Sequence, residues 1–78
     1  MTAELTKLDR ELLVELKKIR NERQFVNGVF LYAEEQSERR QILAYIKKNE
    51  NSITSSDVVL MALKLELNRK KINKGGVY

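Results

Sequence analysis

The side chains available for chemistry in this sequence are carboxylates, ammonium and guanidinium groups, and one cluster of hydroxyls; His and Cys are absent. Without His, no side chain has an ordinary pKa suited to proton transfer near neutral pH. Without Cys, there is no thiolate to act as nucleophile or soft metal ligand. The hydroxyls concentrate between Ser52 and Ser56, where helix capping already accounts for them. Gly75-Gly76 follows a helical pattern instead of preceding one, so it does not form a phosphate-cradling loop. The expectation is a chain with no catalytic residues and no cofactor, and not an enzyme.

Carboxylate pairs could in principle hold a hard cation. Glu11 with Glu15 and Glu34 with Glu38 each stand one helical turn apart. Carboxylate bundles of that kind also use a Glu-x-x-His element, which a chain without His cannot supply. The acids stand among Lys and Arg, as on a solvated helix face, so no metal site is expected.

The basic residues are unevenly distributed. Through Leu63 the chain has 10 Lys or Arg and 10 Asp or Glu, so the whole net charge of +4 arises beyond it. There Lys64, Arg69, Lys70, Lys71 and Lys74 face only Glu66. A basic helix end complements the helix dipole and keeps a Leu-rich helix soluble, which is the favoured reading. The alternative is phosphate or nucleic-acid contact through Arg69, Lys70, Lys71 and Lys74, with Arg39-Arg40 and Lys47-Lys48 added if the fold gathers them. A base-reading helix-turn-helix fits poorly. The connection from Asn49 to Ile53 is long and lacks glycine, and the following helix opens on apolar residues where base-reading groups would be needed.

These groups must be positioned by helices, because the apolar residues recur at helical spacing. Leu8, Leu12, Leu16 and Ile19 fall on one face, with acids early and bases late. Thr2 and Thr6 compete as N-caps, and Thr6 has Asp9 at capping-box spacing. Asn27-Gly28 reads as a boundary between helices. A hairpin there would need alternating arms and a third strand, and the chain offers neither. The next helix runs from Val29 to Lys48 if Glu35 and Arg39 pair across one turn; a break near Ser37 would split it. Thr54 and Asp57 form a second capping box, framed by Ile53 and Val58 as a hydrophobic staple. The helix it starts is apolar nearly all round from Val58 to Leu63, and such a helix is expected to be buried on every side. Leu12, Leu16, Ile19, Arg23, Val26, Phe30 and Ala33 also follow steps of four and three, which would suit one long helix pairing with its copy.

The expected architecture is all-α: helices at about 3–26, 29–48 and 54–73, or four helices if the second is split, with the last the most buried. At 78 residues the chain is one domain, taken as 1–74 with a flexible tail at 75–78. A chain of this mass buries about 63% of its unfolded surface, a modest core that a partner subunit could complete. The apolar runs are far short of the ~20 residues of a membrane helix, and the charged start and absent Cys suit the cytoplasm. The function these features favour is protein–protein interaction, as a homodimer meeting near Leu60 and Met61 or as a regulatory or adaptor module.

Overall fold

The computed structural model describes residues 5–75, with side chains through residue 71. Four helices follow in order: α1 (Lys7–Ile19), α2 (Arg23–Tyr32), α3 (Gln36–Lys48) and α4 (Ser55–Gly75). They form one all-α bundle in which α1 packs on α3, α2 on α4, and α3 on α4. Thr2, residues 76–78 of the tail expected at 75–78 and the side chain of Lys74 lie outside the described residues.

α1 starts where the capping box places it. The Asp9 backbone N–H donates to Thr6 Oγ1 at 3.1 Å, and the Thr6 N–H donates to the Asp9 carboxylate at 3.3 Å. Its end is earlier than the periodicity suggests. Arg20 leaves the helix with φ −156° and ψ 108°, so the expected helix through residue 26 is two elements. The reason is local. From Lys17 to Gln24 only Ile19 is apolar, so no buried face holds the turns in line, and the chain swings to bury Phe25, Val26 and Val29.

The Asn27-Gly28 boundary is also corrected. Both residues lie inside α2, and no residue there has positive φ. Phe25, Val26, Val29, Phe30 and Ala33 have helical spacing, and all but Phe30 are buried. Each buried apolar side chain of this size contributes about 1.5–3 kcal/mol, which outweighs the ~1 kcal/mol cost of a mid-helix Gly. Packing overrides the turn signal.

The break instead falls between Tyr32 and Gln36. Glu35 is extended at the start of α3, and its N–H donates to Glu38 Oε1 at 3.1 Å. The helical pairing of Glu35 with Arg39 does not form, because Arg39 turns toward α1 and the end of α2. The single long heptad helix is therefore absent, and its residues serve the core: Leu12, Leu16, Val26 and Ala33 are buried within one bundle.

α4 follows a turn at residues 49–52 and a complete capping box. The Asp57 N–H donates to Thr54 Oγ1 at 3.2 Å, and the Thr54 N–H donates to Asp57 Oδ2 at 3.0 Å. The helix does not bury its apolar surface all round. Val58 and Ala62 enter the core, whereas Leu60 and Leu67 are 64% and 63% exposed. Only α2 and α3 pack on α4, and they cover one side of it, so its other side stays open.

Candidate interaction surface

Among the described residues two acids are buried, and both are capping residues closed by an arginine from another helix. Asp9, in the first turn of α1, accepts from Gln36 Nε2 at 3.2 Å and from Arg39 Nη1 at 3.1 Å. Arg39 also donates from Nε to the Ala33 carbonyl at 2.7 Å and lies 4.9 Å over the Phe30 ring. It thereby joins the carbonyl end of α2 to the amide end of α1, where the two helix dipoles favour a cation and an anion respectively. Burial pushes the Asp9 carboxyl upward, but the hydrogen bonds from the Thr6 backbone, Gln36, Arg39 and the Thr6 hydroxyl outweigh it and hold the pKa below the ordinary value. Glu38, in the first turn of α3, accepts from Arg69 Nη1 of α4 at 2.9 Å, and Arg69 reaches Glu34 at 3.6 Å. These groups lock helices together. Among the described residues no buried side-chain nitrogen or oxygen lacks a hydrogen-bond partner.

The basic positions are thus not gathered on one surface. Arg69 is turned into the fold, Lys70 stands 3.9 Å from Glu66, and Lys71 is exposed. Arg39 is engaged with Asp9, and Lys47 reaches Glu11 of α1 at 3.1 Å. α3 and α4 run antiparallel, since Glu38 meets Arg69 near one end while Tyr45 and Asp57 share a hollow near the other. That places Lys47-Lys48 and Lys70-Lys71 at opposite ends of the helix pair. Of the acid pairs considered for metal, Glu11 faces Lys47, Glu15 faces Lys18, and Glu38 is held by Arg69. Among the described residues no three acids gather around a common point.

Large apolar side chains are exposed at Leu5, at Val14 of α1, at Leu31 of α2 and at Leu60 and Leu67 of α4, and the two on α4 share one face. Leu60, Lys64, Leu67 and Lys71 succeed one another in steps of four, three and four, so they form one stripe along the helix. The stripe is exposed throughout and lies opposite Val58 and Ala62. Leu63 borders it, half-buried but not packed on the core. Met61 is half-buried and faces the groove between α3 and α4, a hollow of about 510 Å³ lined by Gln41, Tyr45, Leu60, Met61, Lys64 and Leu65. Both residues expected at an interface, Leu60 and Met61, therefore border one groove, and Leu67 is the addition that the sequence did not single out. Its signal was the seven-residue spacing from Leu60. A second hollow, of about 610 Å³ between α1 and α2, is lined by Leu5, Leu13, Phe30 and Leu31 with the Asp9–Arg39 pair beside them.

No helix among the described residues is long and apolar enough to cross a membrane. Comparison with protein-family models, with curated proteins and with solved structures finds no match to this chain.

Proposed function

We propose that this chain is a small non-catalytic helical protein that works by binding protein through the outer face of α4, as a homodimer or as a regulatory or adaptor module. The observation that carries this reading is the pair Leu60 and Leu67, both more than 60% exposed and one heptad apart on one face of α4. An apolar stripe of that spacing is suited to receive another helix. The two buried acids, Asp9 and Glu38, are engaged in tying helices together. A cytoplasmic location fits a chain without Cys.

Nucleic-acid binding is the weaker reading. It rests on Lys64, Lys70 and Lys71, and it loses Arg69 to Glu38 and Glu34. The five aromatic residues are also not interleaved with these lysines, as a single-strand binder would need.

Affinity capture from host cells with the wild-type chain and a Leu60→Glu, Leu67→Glu variant tests the protein-binding reading. Both leucines are exposed, so circular dichroism and melting should change little. A protein captured by the wild type and lost with the variant is the expected result. Identical captured sets with both chains would overturn the reading.

A further inference from the structure

We propose that the first occupant of the α4 face is a second copy of this chain, packed antiparallel about a two-fold axis between Leu63 and Lys64. This rests on the protein-binding reading above and names the partner. An interface between identical copies must be self-complementary, so that residue i meets j while j meets i. An axis between positions 63 and 64 pairs residues whose numbers sum to 127. Leu60 then meets the copy's Leu67, and Leu67 meets the copy's Leu60. Leu63, half-buried and off the core, meets its own counterpart across the axis.

The charges favour the same arrangement. The first turn of α4 carries Asp57, and its far end carries Lys70 and exposed Lys71. Along α4 itself, antiparallel pairing sets Asp57 against the copy's Lys71, whereas parallel pairing sets like against like; Lys47 and Lys48 of α3, beside the Asp57 end, reduce this preference. In this register Ser56 stands directly opposite the copy's Lys71. Asp57, one residue further on and about 1.5 Å along the axis, is turned about 100° from Ser56 to the flank that Lys71 occupies. Two Asp57–Lys71 approaches thus form per dimer.

Lys64 opposes the pairing. It lies beside the axis, so the two Lys64 ammonium groups approach one another. Their four-carbon stems allow the charges to reach outward to water, which reduces the repulsion without removing it. Lys64 is therefore the residue that holds the association weak and reversible.

Sedimentation of the full chain over a concentration series, from about micromolar to about millimolar, tests the register. The wild type should show a monomer–dimer equilibrium within that range. Lys64→Leu should tighten the dimer by about tenfold or more, and Lys71→Glu should weaken it by a similar factor. Adding Ser56→Lys to Lys71→Glu should restore association, because it returns opposite charges to facing positions without touching the Thr54–Asp57 cap. A 9.1 kDa monomer for both wild type and Lys64→Leu at every concentration would overturn the proposal. A dimer indifferent to all three changes would overturn the α4 register. If the chain proves monomeric but its captured partner still depends on Leu60 and Leu67, this inference fails while the protein-binding reading stands.

Discussion

Arg39 Nη1 donates to Asp9 Oδ1 at 3.1 Å across thirty residues of sequence, and the same guanidinium donates to the Ala33 carbonyl at 2.7 Å. One side chain therefore fixes where α1 begins, where α2 ends and how α3 stands between them. Lysine could not replace it, since a single ammonium lacks the planar fork that reaches a carboxylate and a carbonyl together. Arg69 on Glu38 repeats the device between α4 and α3. In each case an acid that caps its own helix receives a cation from a helix packed beside it.

The first prediction concerns pH. The folded pKa of Asp9 is depressed below its ordinary value, so its contribution to stability is fully present above the unfolded carboxylate pKa, about 3.9. That contribution is lost as the pH falls through the folded pKa. Urea midpoints measured from pH 7 down to about pH 2.5 should therefore drop more steeply below about pH 4 in the wild type than in Asp9→Asn. Parallel curves for the two proteins would show that Asp9 is not the acid-sensitive group.

Gly28 provides the second. It lies mid-helix without positive φ, and a Cβ added there would meet nothing within 4 Å. Gly28→Ala should raise stability by about 0.4–1 kcal/mol, because alanine has fewer unfolded conformations and a higher helix propensity. A hairpin or left-handed helix end at this position would give the opposite sign. Chemical denaturation of the two proteins decides it.

Comparing these elements shows what the sequence makes legible. Both Thr-based caps, Thr6 with Asp9 and Thr54 with Asp57, are visible because all the interacting groups lie within four residues. The all-α class follows from apolar spacing for the same reason. The break at Arg20 is not visible, because it depends on where Phe25, Val26 and Val29 find burial, which is a tertiary matter. The sequence leaves the break before Gln36 open as an alternative near Ser37, and only the fold decides that it forms and where. The fate of Arg39 and Arg69 is hidden likewise: their acids lie thirty and thirty-one residues away. The apolar run from Val58 to Leu63 is legible, yet α4 is not covered on every side, since composition around a helix does not reveal how many neighbours the fold supplies.

The third prediction tests the α4 cap. Replacing Thr54 with Ala removes the acceptor for the Asp57 N–H, a bond of 3.2 Å. The expected loss is about 1 kcal/mol, or a fall in Tm of about 4–8 °C for a domain of this size. Thr54→Ser should retain most of the stability, since it keeps the hydroxyl. If both variants melted with the wild type, the helix start would owe its stability to the Ile53 and Val58 contacts instead.

The fourth prediction separates structural cations from free ones at the end of α4. Arg69 is 19% exposed and pairs with the buried Glu38, whereas Lys70 and Lys71 reach solvent. Arg69→Gln should therefore lower stability by about 1.5–3 kcal/mol, because it removes a charged hydrogen bond from a buried carboxylate. Lys70→Gln with Lys71→Gln should leave the melting curve nearly unchanged, since exposed charges contribute little. That pair of variants is then a clean probe of phosphate binding, which a variant including Arg69 is not. If lysines contact nucleic acid, the slope of log affinity against log salt should flatten by up to about two units in the double variant, one for each lost phosphate contact. The protein-binding reading instead expects negligible duplex or single-strand binding by the wild type at about 150 mM salt, where exposed charges are screened beyond about 8 Å. Tight wild-type binding at that salt, lost in the Lys70, Lys71 variant while its melting curve is preserved, would transfer the function of α4 from protein to nucleic acid.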